Sequence, residues 1–487
     1  MTENTTPYRI VIVGSGFGGI AMAIALKKAG FTEFAIIERS DDIGGVWRDN
    51  GYPGAACDVP SRLYSYSFEQ NYDWSESFAP QREIHDYLRR CAEMYGVLPH
   101  IRFNTEIESA AFDENAGSWI LKTTHGERID ADIFISAMGL FNRFKLPDIP
   151  GRDDFTGMQF HSSYWNHDYA LDGKTVAVIG TGASAIQFVP EIAKQVKHLS
   201  VFQRTPHYIM PKEKRGSSPA ERSRFQRSAL GRELERFKIF LNMEKGTRRR
   251  SSIPMTEAAE QGFLKSLERQ VPDPGLRARL TPDYHLGCKR VLRSDDWYPA
   301  LQRTNVELVD TPIEGIYRTG IKTEDGQARD FDAIIHGTGF TPTDFLSPLQ
   351  LTGLKGVELN QAWRDGAEAY LGVTITGFPN FFMMYGPNTN LSGSIIFMLE
   401  SQSRYIVRCI RSMRRRKARY MAVNHDAQRR LNEEIQARIA TTIIMDDNCH
   451  SYFKTASGKV TTQWPGYLTE YRLRTSRVRA GDYLFAR

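Results

Sequence analysis

The sequence predicts an α/β fold built from two Rossmann-like dinucleotide-binding units, the second interrupted by a helical insertion. Three observations carry this expectation. Two short apolar stretches, YRIVIV at 8–13 and TVAVI at 175–179, each run straight into a glycine loop, GSGFGG and GTGASA. Two closing segments, DIFISAMG at 132–139 and DAIIHGTG at 332–339, repeat one pattern: an aspartate, an apolar run, and a small residue two before the final glycine. Such internal repetition marks a duplicated unit rather than a solenoid. Finally, the chain from Pro211 to about Leu280 turns charged, Arg-rich and helical in pattern, with Ser-Ser-Pro and Pro-Asp-Pro-Gly breaks.

Composition fits that expectation. With 487 residues, 41% of them hydrophobic and 25% charged, the chain suits a soluble globular protein of two to four domains. No apolar run is long enough to span a bilayer, and the opening MTENTTPYR lacks the apolar segment of a secretory signal, so a cytoplasmic protein is expected. The cysteines (Cys57, Cys91, Cys288, Cys409, Cys449) are odd in number, scattered and without a C-x-x-C, which argues against a disulfide scaffold and against dithiol redox chemistry. The net charge of +6 is modest but concentrated at 212–250 and 404–419. In the second run Arg404, Arg408, Arg411 and Arg415 share one helical face, which reads most simply as a solvated surface. No nucleic-acid partner is expected; peripheral membrane contact is left open, as is the oligomeric state.

The first unit opens with Gly14, Gly16 and Gly19 in G-x-G-x-x-G spacing, leading into a predicted helix over 20–29. The first glycine permits the tight turn, the second lets backbone approach a pyrophosphate, and the third lets helix pack on strand. A second strand at 34–37 ends in Glu38, about twenty residues on, where a carboxylate can accept from ribose hydroxyls. Then comes GGVWRDNGYPGAACD, Gly44 to Asp58, poor as helix and as strand, and suited to irregular backbone beside something flat and anionic. An amphipathic helix from Gln81, strands around 101–107 and 119–123, and the closing strand at 132–139 complete the unit.

A proline-rich linker, KLPDIPG, leads to FTGMQFHSSYW at 155–165. Its His161 and Trp165 read physically as packing residues at a domain junction. The second unit carries Gly180, Gly182 and Ala185 in G-x-G-x-x-A spacing, and its strand at 199–202 ends in Gln203-Arg204-Thr205 rather than in an acid. A guanidinium and a hydroxyl can bind a 2′-phosphate, which a carboxylate would repel. The first unit therefore suits FAD and the second NADPH. After the insertion come GCKR at 287–290, strands at 306–309 and 332–339, and a strand at 380–385 running through a polar glycine loop (Gly386–Ser394) into a long helix from about Ile395. The expected domains are 1–145 and 375–487 for FAD, 146–210 and 286–374 for NADPH, and 211–285 for the insertion.

The 44–58 loop resembles the signature [AG]-G-x-W-x4-[FY]-P-[GM]-x3-D of Baeyer–Villiger monooxygenases at Gly44, Gly45, Trp47, Tyr52, Pro53, Gly54 and Asp58. The stretch 155–165 resembles that family's second motif at Phe155, Gly157, His161 and Trp165, departing only at Asn166, where Pro or Asp is usual. The resemblance implies an NADPH-dependent flavoprotein that inserts one oxygen of dioxygen beside a ketone carbonyl through a flavin peroxide, giving an ester or lactone. It implies cofactor contacts at Gly14, Gly16, Gly19, Glu38, Val46, Trp47, Asp58, Tyr64, Ile107, Thr181, Gly182, Ala183, Ser184, Ala185, Ile186, Gln187, Arg204, Thr205, Lys289, Arg290 and Asn388. Among these, Arg290 and Asp58 would be catalytic, the arginine as the cation and the aspartate as its holder. The absence of a metal-ligand cluster, a redox dithiol and a Ser-His triad signature leaves the flavin as the only competent centre. Sulfide or amine oxidation is the nearest alternative. A disulfide oxidoreductase lacks its cysteines, and a flavin-bound sensor or membrane-docking protein is the non-enzymatic one.

Overall fold

The computed structural model describes residues 8–487 apart from 251–252, 391–392, 447 and 450, with backbone alone for 248–250 and 253–255. The N-terminal MTENTTP and Leu391 and Ser392 of the polar glycine loop, all read above, lie outside the described residues.

Two five-stranded parallel sheets form the frame. The first runs in the order Phe381–Met383, Ile133–Ser136, Ile10–Val13, Phe34–Ile37, Ile101–Arg102. The second runs Met158–His161, Ala333–His336, Thr175–Ile179, His198–Phe202, Val306–Val309. Position by position the orders correspond: the strand before the glycine loop is central, the closing strand lies on one side and the second strand on the other. Their sequences (IVIV and IFIS; TVAVI and AIIH) are β-branched and almost wholly buried, as strands covered on both faces must be. Each sheet carries a flap: three antiparallel strands at 107–131 joined by a parallel strand, Gln350–Thr352, in the first, and three antiparallel strands at 313–330 in the second.

The two closing segments correspond in detail. Asp132 accepts from the Arg9 amide at 2.8 Å, and Asp332 from the Thr175 amide at 2.8 Å, each pinning the start of the central strand to the closing strand. Gly139 and Gly339 both lie at φ +76°, a left-handed conformation that lets the chain leave the sheet edge. Beyond them the two crossovers between units run side by side, through a Phe144–Phe340 bridge and a bond from the Lys145 amide to Gly339 O at 2.9 Å. His161 lies against this pair, stacked on Phe144 at 4.9 Å and edge-on to Phe340 at 5.8 Å. Trp165 packs between Phe160 and Phe188. Both motif residues are thus packed at the junction, as their residue types suggest.

The stretch read as an insertion folds into helices Pro219–Arg227, Ala229–Arg250, Ile253–Gln270 and Pro274–Arg279. The long helix after the polar loop is Ile395–Arg416. Its arginine face differs from the solvated surface expected: Arg404 is half-buried against Glu400, Arg408 reaches Thr475 O, and Arg411 reaches Ala29 O at 3.3 Å. Arg408 and Arg411 tie the helix to its neighbours, Arg404 pairs within it, and Arg415 is exposed.

The cysteine reading needs a correction. Cys288 and Cys449 form a disulfide, with Cα atoms 5.5 Å apart, and the pair is buried in the core of the second unit. A sequence separation of 161 made the pairing invisible to spacing. Cys57, Cys91 and Cys409 are free and buried.

Candidate active site

The first glycine loop is shaped by contacts that exclude side chains. Gly14 lies at φ +102°, and a Cβ there would stand 2.6 Å from Ala137 O; one on Gly19 would stand 1.9 Å from Gly14 O. The strand, turn and helix Phe17–Lys28 therefore pack only with hydrogen at both positions, and the helix opens three residues before the expected start. Glu38 is buried at the end of its strand, where one oxygen accepts from the Ser15 amide at 2.9 Å and hydroxyl at 2.7 Å, and the other from the Ser40 amide at 3.0 Å. Arg48 completes this corner, 3.4 Å from Glu38.

The Gly44–Asp58 loop faces the first glycine loop. Gly44 and Gly45 have φ +123° and +55°, and a Cβ on Gly45 would stand 3.3 Å from Gly16 Cα. Trp47 donates its indole N–H to the Tyr64 hydroxyl at 2.9 Å, and Tyr64 meets Phe17 edge-on at 5.4 Å. Gly54, at φ +77°, abuts the Gln187 carbonyl, which a Cβ would approach to 2.5 Å. The Gln187 side chain closes the contact: its oxygen accepts from the Tyr52 hydroxyl at 3.0 Å, and its N–H donates to Ala56 O at 2.9 Å. The loop after the first nucleotide strand is thus fastened to the helix of the second unit.

At the loop's end Asp58 forms a close ion pair with Arg290, which follows GCK. Burial opposes ionisation of Asp58, but Arg290 outweighs it, with Lys212 adding, and the carboxyl is held below its usual range. Asp58 in turn holds the guanidinium more firmly protonated, against the cost of its burial. Arg290 keeps 39% of its side-chain area exposed, and that area opens onto a cavity of about 1120 Å³.

That cavity brings together Gly14, Gly16, Glu38, Val46, Trp47, Asp58, Tyr64, Ile107, Lys289 and Arg290. Its walls also include residues that sequence reasoning missed: Arg48, Lys212, Tyr385 and Tyr452. Arg48 sits in a variable position of the loop signature, and the others are distant in sequence, so only folding assembles them. Gly19 does not face the cavity. Asn388 is buried and left-handed (φ +54°), donating to Val460 O and Gln463 O, so it ties the polar loop to the 460–463 segment.

The second glycine loop lies outside this cavity. Gly180 has φ +107°, and a Cβ there would meet Gly337 O at 2.5 Å, repeating the Gly14 arrangement. Gly182 has open space around its Cα, while Thr181, Ala183 and Ser184 lead to a helix that begins at Ala185. The Ala185 and Ile186 side chains are in the core, so only their backbone can serve a ligand. Arg204 is exposed just past its strand and Thr205 half-exposed. Lys289, over the Tyr284 ring at 4.3 Å, has its pKa lowered by burial and then by Arg204. His207, pushed down to about 4 by burial, feels both cations. Two cations held close enough to repel one another make a site for an anion.

The sequence and the fold match those of known proteins. The family model for flavin-binding monooxygenase-like proteins matches residues 7–228. A Baeyer-Villiger monooxygenase of Streptomyces coelicolor is 40% identical over 482 residues, covering 98% of this chain and 92% of that protein. The chain belongs to the Baeyer–Villiger monooxygenase family. A Baeyer-Villiger monooxygenase of Pseudomonas aeruginosa is likewise 40% identical over 478 residues, covering 98% of this chain and 91% of that protein. Among solved structures, OTEMO complexed with FAD and NADP superposes with a TM-score of 0.90 at 29% identity, covering 99% of this chain and all of that one. As a Baeyer–Villiger monooxygenase the protein is an NADPH-dependent flavoenzyme, and sulfide or amine oxidation as the primary activity is not favoured.

The residues present fit both cofactors of a Baeyer–Villiger monooxygenase. Two glycine loops approach at Gly16 and Gly45 so closely that any side chain would fill the cradle between them, as a flavin dinucleotide requires. In the second unit Arg204 follows the strand His198–Phe202 and lies close enough to Lys289 to lower its pKa, a donor set suited to a 2′-phosphate. No helix among the described residues is long and apolar enough to cross a membrane, and no metal-ligand group occurs among them.

Proposed function

We propose that Arg290, held by Asp58, carries the oxygen transfer to a small ketone in this enzyme. The supporting observation is the ion pair itself, at the one point where the Gly44–Asp58 loop, the GCKR turn and the cavity meet. FAD, reduced by NADPH, supplies the activated dioxygen when bound. Gly14, Gly16, Glu38, Val46, Trp47, Tyr64 and Ile107 line its side of the cavity, with Gly19 allowing the helix to close on the loop. Asn388 shapes the polar loop beside it. NADPH would be held by the backbone from Thr181 through Gln187 at its phosphates and by Arg204, Thr205 and Lys289 at its 2′-phosphate. Residues 1–145 with 375–487, and 146–210 with 286–374, constitute the two domains of this reading, with 211–285 inserted; its setting is the cytoplasm.

Arg290 acts because it cannot lose its proton. A fixed cation in a site shielded from water stabilises the negative charge that develops on the transferring oxygens and then on the carbonyl oxygen under attack. Asp58 aims the guanidinium and leaves part of it open to the cavity. Tyr385 and Tyr452, whose phenols are held above their ordinary pKa and stay neutral, line the cavity beside the cation without competing for its charge.

The test is product identification by mass spectrometry after incubation with NADPH and a panel of ketones and sulfides, for the wild type and Arg290→Ala. Esters or lactones one oxygen heavier than the ketone are expected, and the variant should retain flavin while losing about 10²–10³ in rate. Full ketone oxidation by the variant, or sulfoxides as the only products of the wild type, would overturn the assignment.

A further inference from the structure

The Ala229–Arg250 helix has two working faces. Ile239, Met243 and Gly246 line the active-site cavity. On the opposite side Leu230, Leu234, Phe237 and Leu241 stand exposed, at 70%, 52%, 55% and 40% of their areas. Their spacing of four, three and four residues places them in one narrow stripe along the helix. Other large apolar residues at the surface, such as Met94, Tyr164 and Leu473, are scattered singly, which needs no explanation. Four in line on one helix do. Charge around the stripe is lopsided. Arg224, Arg227, Lys238 and Lys245 are exposed beside it. Two carboxylates, Glu233 and Glu244, also flank it and keep their charge while accepting from Gln70, the Leu468 amide and Thr469, so these four cations outnumber the two acids.

We propose that this face docks on an anionic lipid surface. The apolar stripe buries in the headgroup boundary while the lysines and arginines meet lipid phosphates, the pattern of a helix that lies on a membrane without crossing it. Charge decides between occupants: a second copy of the chain would set this basic flank against itself. Because the inner face of the same helix walls the cavity, docking brings the active site next to a reservoir of apolar molecules. The inference does not depend on the reaction assigned above, since its test reads binding and not turnover.

The test is co-sedimentation of the flavin-loaded enzyme with vesicles of phosphatidylcholine alone or mixed with phosphatidylglycerol. Three proteins are compared: wild type, Leu234→Glu/Phe237→Glu, and Lys238→Glu/Lys245→Glu. The wild type should sediment with the anionic vesicles and be released as salt is raised. The apolar variant should partition at least about tenfold more weakly, because two large side chains no longer leave water. The charge variant should also weaken, with its flavin absorbance unchanged. The proposal is overturned if the wild type ignores anionic vesicles, or if it binds neutral ones equally well. It is overturned too if both variants bind like wild type, or if the wild type is a dimer by analytical ultracentrifugation that the apolar variant dissolves.

Discussion

The Tyr52 hydroxyl donates to the Gln187 side-chain oxygen at 3.0 Å, joining the loop that borders the first nucleotide site to the helix that opens the second. The same amide donates to Ala56 O, and Gly54 packs on the Gln187 carbonyl, so one side chain fixes the approach of two units. Gln187→Ala is expected to lower unfolding stability by about 1–3 kcal/mol in urea titration, the cost of leaving these partners unpaired. Gly54→Ala should cost more, because it adds a left-handed alanine to a backbone clash. A Gln187→Ala protein as stable as wild type would mean that the junction is held elsewhere.

Arg204→Ala should weaken NADPH binding far more than NADH binding. A charge-assisted phosphate contact contributes about 1.5–3 kcal/mol, or roughly ten- to a hundredfold in affinity. Lys289→Ala should show the same selectivity and should also let the His207 pKa rise, since Lys289 helps to hold it down. Equal losses for both nucleotides would place the 2′-phosphate elsewhere.

Acid should destabilise the junction between units. His161 and His336 are both buried and pushed down to about 4 by that burial, with His161 and Arg152 adding to the effect on His336 and a backbone bond to Gly339 opposing it at His161. Between about pH 4 and pH 6.5 the unfolded chain therefore binds protons that the folded one refuses, so stability rises with pH across that window. The full penalty of about 3 kcal/mol per histidine is reached only below both pKa values. Urea titrations at pH 5 and pH 7 should show the difference, and His336→Gln should reduce it. An unchanged slope in the variant would remove His336 from the account.

The disulfide ties the turn that carries Arg290 to the segment that carries Tyr452, both of which line the cavity. Cys449→Ser should lower the melting temperature through the lost cross-link across a long loop. It should also raise the KM for ketone more than it lowers the rate at saturation, because the cavity wall loosens while the Asp58–Arg290 pair stays. Identical melting curves with and without a reducing agent would show that the bond contributes nothing.

Much of this protein was legible in its residues. The strands at 34–37, 175–179 and 306–309 have the bounds their apolar runs suggest, since such strands offer no other pattern. The Asp58–Arg290 pair was legible only through the family resemblance, which reaches Asp58 by the loop motif and Arg290 by the GCKR turn, as nothing local joins residues 232 apart. Gln187 stood in a phosphate-loop pattern, and its side chain turned out to serve the neighbouring loop instead. The arginine stripe on Ile395–Arg416 misled because helical spacing shows which residues share a face but not what that face meets. The Cys288–Cys449 pair escaped for the same reason as the cavity wall at Lys212, Tyr385 and Tyr452: tertiary folding alone makes these neighbours.

The two crossovers, bridged at Phe144 and Phe340 and leaving their sheets through matched glycines, act as one double-stranded strap. A single ribbon would leave the tying of the two units to the Tyr52–Gln187 contact and the disulfide, with freedom to twist. Two ribbons side by side permit chiefly a swing about their common line, like a door on its pin. Any movement of one nucleotide-binding unit against the other is thereby held to that one line and returns along it.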